Sequence, residues 1–167
     1  MGLHPKPLVV GGLALGLVVL IAVSASTRGD VPATSNSYDD GRSWPVAGYG
    51  RVSSGFGRRI SPINHKEEFH TGIDIPAPLG TAVLAPISGR IARVEVTKTS
   101  GLTIWMHGRG EAHRLAHLSA AHVNAEDEVR AGQVIGAIGS TGTHSTGNHL
   151  HWSVYFNGQL VDPLLLS

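Results

Sequence analysis

The chain has 167 residues, 41% of them hydrophobic, which is enough for one globular domain with a tail or anchor besides. A formal net charge of +1, with only 15% charged residues and no basic stripe, excludes a nucleic-acid surface built on phosphate neutralisation. Cysteine is absent, so neither a disulfide framework nor a thiolate metal site can form, while 22 Gly point to tight turns and 10 His are an unusual surplus.

After Met1-Gly2-Leu3-His4-Pro5-Lys6 no charged residue occurs until Arg28, and residues 8–23 are almost wholly Leu, Val, Ile, Ala and Gly. A run of that length is a transmembrane-helix candidate. It closes on Val23-Ser24-Ala25, a small-x-small pattern that a signal peptidase can cut. Residues 1–28 are therefore read as an uncleaved single-pass anchor with its N-terminus inside, or else as a signal peptide. A buried core helix fits poorly, because no polar face interrupts the run. Either membrane reading predicts an extracytoplasmic location, anchored or secreted. Residues 29–43, with Pro32, several Ser and Thr, and Asp39-Asp40-Gly41, read as a flexible linker. From Trp44 to the C-terminus, short apolar runs alternate with Gly and Pro. Strands are predicted at 81–85, 90–97, 102–107, 114–118, 133–138, 149–156 and 159–161, while 120–127 has at most a helical turn or two. Regular short strands with turn signals between them make residues 44–167 one all-β domain, a small antiparallel sandwich or barrel.

Two motifs carry chemistry. In Thr146-Gly147-Asn148-His149-Leu150-His151-Trp152 the histidines are two apart, so a strand presents both imidazoles on one surface. In His70-Thr71-Gly72-Ile73-Asp74 the spacing is also even, placing His and Asp on one face if the segment is extended. Two His and one Asp give a zinc ion three ligands and leave one position for water, the pattern of a catalytic rather than a structural site.

With these motifs quoted, the stretch from Trp44 onward resembles the lysostaphin/LytM-type zinc metallopeptidases, which cut peptide bonds in bacterial cell walls. The resemblance runs through Gly55-Phe56-Gly57-Arg58-Arg59, Phe69-His70-Thr71-Gly72-Ile73-Asp74, Ala116-His117-Leu118-Ser119, Gly132-Gln133-Val134-Ile135-Gly136 and the H-x-H segment. It implies the LytM-type fold, related to lipoyl/biotinyl domains, with one Zn2+ held by His70, Asp74 and His151. It implies that His149 and His117 are the non-ligand catalytic histidines, and that the partners are stem peptides or cross-bridges of peptidoglycan, cut by a monomer. Zinc lowers the pKa of its bound water to about 7, and a histidine suits the proton handling. Three departures stand out: Leu115 where an aromatic is common, Ser153 in place of a frequent Glu, and a loop at 142–148 a residue longer than usual. The approach to His70, Asn64-His65-Lys66-Glu67-Glu68, resembles the branch that cuts stem-peptide cross-links more than the glycine-specific branch.

The remaining histidines, His4, His65, His107, His113, His122 and His144, are read as surface or core residues. Trp152 and Phe56 are read as core beneath the site, and Glu67 and Glu68 as a solvated loop. Arg58 and Arg59 are either plain surface charges or contacts for substrate carboxylates. A non-catalytic wall-binding or amidase-activating module on the same scaffold is the rival; it is expected to have lost ligands, and none is lost here. A lipoyl-type carrier, suggested by Val129 to Gly136, needs a modifiable Lys at a hairpin tip, and Lys98 lacks that setting.

Overall fold

The computed structural model describes residues 41–167; the segment read as an anchor at 1–28 and nearly all of the linker lie outside the described residues. Among the described residues no helix is long and apolar enough to cross a membrane. In chain order the strands are β1 (Gly57–Ile60), β2 (Glu67–His70), β3 (Ile73–Pro76), β4 (Ala82–Leu84), β5 (Gly89–Thr97), β6 (Gly101–Gly108), β7 (Glu111–Leu118), β8 (Ala120–Ala121), β9 (Glu128–Val129), β10 (Val134–Ala137), β11 (His149–Phe156) and β12 (Gln159–Val161). The helical turn expected near 120–127 gives way to β8, and a 3-10 turn at Pro163–Leu165 follows the last strand.

Every pairing is antiparallel. The large sheet runs β12–β11–β7–β6–β5–β9, with β3 also paired to β11. β11 meets β3 along its first half (149–152) and β12 along its second (154–156), while β7 lines its other edge. A three-stranded sheet, β4–β10–β8, and a two-stranded hairpin, β1–β2, complete the architecture. Two links in the large sheet are two-residue hairpins, Arg109-Gly110 and Asn157-Gly158, with φ of 55°, 78°, 49° and 78°. Left-handed backbone at both positions gives the turn whose twist matches that of paired strands.

The two-residue strand period divides core from site. On β11, Leu150, Trp152 and Val154 are buried on one face, and His149, His151 and Ser153 take the other. On β3, Ile73 and Ile75 face inward and Asp74 faces the histidines. Ile91, Ile104, Met106 and Leu115 from the large sheet join Val83, Ile135 and Ile138 in one cluster between the sheets.

A polar chain threads this core. Arg42 grips both oxygens of Glu111 (2.9 and 2.5 Å), Glu111 accepts the Nε2–H of buried His113 (2.8 Å), and the Nε1–H of Trp152 donates to His113 Nδ1 (3.1 Å). Both His113 nitrogens are thus committed with the ring neutral, stacked 5.9 Å from the Trp152 ring. Burial pushes the His113 pKa down despite Glu111, and the charges of Arg42 and His107 push the same way. Burial opposes ionisation of Glu111, but its bonds to Arg42 and His113 prevail and lower its pKa.

In the unfolded chain a free His gains a proton as pH falls through about 6.5, whereas native His113 resists it, so stability is lost as pH falls below that value. The Glu111 contribution follows at lower pH, below about 4.3, as the carboxylate is neutralised. Urea unfolding of the metal-free protein and of His113→Gln across pH 7.5 to 5, with the difference taken, is expected to show wild type losing stability relative to the variant as pH falls. The subtraction cancels the other histidines.

Candidate metal centre

His70 and Asp74 do not share one continuous strand. β2 ends at His70 and pairs with β1, whereas β3 begins at Ile73 and pairs with β11. Between them the chain passes against β11 so closely that a Cβ on Gly72 would lie 2.2 Å from the Trp152 carbonyl oxygen. That approach sets Asp74 directly opposite His151 in the β3–β11 register. Three atoms converge as a result: His151 Nδ1 and Asp74 Oδ1 at 2.9 Å, His70 Nε2 and His151 Nδ1 at 3.1 Å, and His70 Nε2 and Asp74 Oδ1 at 3.2 Å.

The far sides of the rings decide what those atoms carry. His70 Nδ1 donates to the Gly55 carbonyl (2.7 Å), which can only accept, so its Nε2 presents a lone pair. His151 Nε2 lies 2.9 Å from the Ser153 hydroxyl, which can take its proton and leave Nδ1 free. Burial pushes the His151 pKa down in spite of Asp74. Burial also works against charge on Asp74, but the neighbouring His151 and His70 outweigh it and hold the carboxyl well below the usual carboxylate range. One anionic oxygen and two nitrogen lone pairs therefore share a point, an arrangement that calls for a cation. A tetrahedral zinc with bonds of about 2.0–2.1 Å spaces its ligand atoms about 3.3 Å apart, so the three donors fit after moving outward by tenths of an ångström. These are the three residues among those described that group as a candidate cation site.

Two more imidazoles border it. The His117 and His149 ring centroids are 4.9 Å apart, and His149 Nε2 is 3.7 Å from Asp74 Oδ1. His117 Nδ1 donates to the Thr141 carbonyl (2.8 Å) and His149 Nδ1 to the Gly147 carbonyl (2.7 Å). Each Nε2 is left as an acceptor. His117 has a left-handed φ of 66°, costly for a residue with a Cβ, and its backbone N–H donates to the Ser100 carbonyl (3.0 Å). Burial pushes its pKa down to about 4, so the ring is neutral at neutral pH.

The structure thus brings together all five residues singled out from the motifs. His65, His122 and His144 are exposed, and His113 belongs to the core network. Trp152 is buried as expected, whereas Phe56 is half-buried against Phe69 (ring centroids 5.1 Å apart). Glu67 and Glu68 lie in β2 rather than in a loop, and Glu68 pairs with Arg59. Two neighbours join these five, Ser153, marked in the sequence only as a departure from the family pattern, and Arg114, which carried no signal there. Ser153 lies on the far side of the His151 ring, and Arg114, cross-strand from Ser153, donates to the Ser100 hydroxyl 5.8 Å over the Trp105 ring.

Residues 68–163, from β2 to the C-terminal turn, match the model of peptidase family M23. The DD-carboxypeptidase/endopeptidase Mpg of Neisseria meningitidis is 46% identical over 117 residues, which is 70% of this chain and 27% of that protein. The chain thus spans about a quarter of the length of this relative. Among solved structures, a zinc-containing peptidase from Vibrio cholerae superposes with a TM-score of 0.65 at 30% identity, covering 71% of this chain and 37% of that one. The catalytic domain of the antimicrobial peptidase lysostaphin from Staphylococcus simulans gives 0.63 at 32% identity, covering 71% and 91%.

Because the β3–β11 approach needs a residue without a side chain, Gly72→Ala is expected to destabilise the protein by roughly 1–3 kcal/mol, read as a lower thermal midpoint. Gly147→Ala, where an added methyl meets nothing, is expected to stay within about 0.5 kcal/mol of wild type.

Proposed function

This chain belongs to peptidase family M23, and on that premise we propose that it is a zinc-dependent endopeptidase that hydrolyses peptide cross-links of bacterial peptidoglycan outside the cytoplasm. The observation that carries the proposal is the convergence of His70 Nε2, Asp74 Oδ1 and His151 Nδ1 within 2.9 to 3.2 Å, bordered by two further imidazoles. His70, Asp74 and His151 hold one zinc ion. When bound, zinc supplies a Lewis acid that makes water nucleophilic at neutral pH and polarises the scissile carbonyl.

The chain's own groups do the rest. His149, with its Nδ1–H spent on the Gly147 carbonyl, uses Nε2 to take a proton from the attacking water and later deliver it to the leaving amine. His117 is neutral and has a free Nε2, so it enters the reaction as an acceptor that orients the water, rather than as a donor to the developing oxyanion. The Gly55 carbonyl fixes the His70 tautomer that zinc needs, and the Ser153 hydroxyl accommodates the matching one in His151 by accepting its Nε2–H.

For the substrate, a stem-peptide cross-link is favoured over a glycine bridge. Arg114 lies on the strand face that carries His151, and a guanidinium suits a stem-peptide carboxylate, which an all-glycine bridge lacks. Exposed Arg58 adds a second cation in a groove of about 520 Å³ along β1–β2. The Neisseria relative named as a DD-carboxypeptidase/endopeptidase points the same way. The enzyme acts as a monomer, tethered to the membrane by residues 1–28 where that segment stays uncleaved. The rival reading, a non-catalytic module, is disfavoured because no ligand or flanking imidazole is missing.

Metal content and amine release from purified walls test the assignment together. His70→Ala, Asp74→Ala and His151→Ala are expected to lose both zinc and activity. His149→Ala is expected to keep zinc and lose turnover by about 10²- to 10⁴-fold. Near-normal turnover in His149→Ala removes it as the base. Mass identification of the new amine on walls with glycine bridges and on walls with direct cross-links decides the bond.

A further inference from the structure

β1 alternates faces, so Arg58 is exposed while Arg59 turns inward. The Arg59 Nη1 donates to Asp74 Oδ2 at 3.1 Å and to the Ser54 hydroxyl at 2.5 Å, and its Nε donates to Glu68 Oε1 at 2.8 Å. The guanidinium is held through Nε and Nη1. Glu68 is its cross-strand partner in the β1–β2 hairpin. Ser54 is tied to the backbone of Asp74, whose N–H donates to the Ser54 carbonyl at 2.9 Å. Such clamping fixes a planar fork of donors in one orientation.

The two oxygens of Asp74 are thereby divided. Oδ1 faces the His70 and His151 nitrogens, and Oδ2 accepts from the Arg59 guanidinium. A free carboxylate can close on a metal ion with both oxygens and occupy two positions, whereas one with an oxygen on a guanidinium offers a single donor. We propose that Arg59 is a positioning residue that restricts Asp74 to one-oxygen ligation and so keeps a coordination position open for water. This rests on Asp74 being a metal ligand, as proposed above. Lys cannot replace the fork, because one ammonium does not span Asp74, Ser54 and Glu68 in a single plane.

The test uses the full-length protein in two readouts, each compared between an Arg59 variant and a control in the same hairpin. One is zinc affinity, by competition against a chromophoric chelator; the other is the visible spectrum of the cobalt(II)-substituted protein, whose bands weaken when a tetrahedral ion gains a ligand. Arg59→Gln is expected to bind zinc about 10- to 100-fold more weakly and to show weakened cobalt bands. Glu67→Gln, an exposed change in the same hairpin that touches none of the Arg59 contacts, is expected to match wild type in both. Wild-type affinity and spectrum in folded Arg59→Gln overturn the proposal, as do equal losses in the two variants, which mark a hairpin tie alone. Should Arg59→Gln not fold, Arg59→Met keeps the packed stem and is read by the same two criteria. Asp74→Ala separates the premise from the inference: unchanged zinc affinity there removes Asp74 as a ligand, whatever Arg59 does.

Discussion

Two imidazole nitrogens and a carboxylate oxygen are held about 3 Å apart, and the rest of the structure is arranged to keep them there. Left to relax, any of the three side chains would swing to water. Each is prevented from doing so by a bond on its far side: His70 by the Gly55 carbonyl, His151 by the Ser153 hydroxyl, Asp74 by Arg59. Three donors already aimed at one point lose little freedom when a cation arrives, so rigidity of the scaffold favours binding of an ion there.

That rigidity comes from the same strands that make the core. β11 is buried on its apolar face by Leu150, Trp152 and Val154 and bordered by β3 and β7 along its ligand-bearing half. A slip of one residue in the β3–β11 register would send Asp74 to the core side and an isoleucine to the metal, so burial of Ile73 and Ile75 specifies the ligand geometry. The Arg42–Glu111–His113 chain adds a directional check from the other side, because it fixes the indole of Trp152, which lies between His151 and Ser153 on the strand.

What the sequence made legible follows from this periodicity. Strand alternation exposed β5, β6, β10 and β11, and even spacing put His149 and His151 on one face. The His70–Asp74 pair was found for a different reason from the one the structure gives. Their apposition arises from a break at Thr71-Gly72 and from pairing with two separate strands, which local spacing does not encode. Short β1 and β2 escape a reading by periodicity because four-residue segments rich in charge carry little apolar period, and β3 because Ile73-Asp74-Ile75 is too short a run before Pro76. Arg59 was indistinguishable from Arg58 until the fold placed Asp74 and Glu68 on one side of β1. The left-handed backbone of His117 is likewise invisible in a histidine, where in a glycine it would have been suspected.

The five site residues divide by what holds them. The ligand side chains sit on paired strands, whereas the two flanking imidazoles take their orientation from carbonyls in the connection between β10 and β11, Thr141 for His117 and Gly147 for His149. That connection is anchored at Gly142, whose Cβ would lie 2.3 Å from the Gly101 nitrogen, and at Thr141, whose hydroxyl donates to the Leu118 carbonyl and accepts from the Leu102 N–H. A change of loop length at 142–148 therefore moves the carbonyl that orients the His149 ring without moving His70, Asp74 or His151. On the proposed reading, proton handling and substrate fit can vary within such a scaffold while the candidate metal site keeps its geometry, because the loop and the sheet impose their constraints on different atoms.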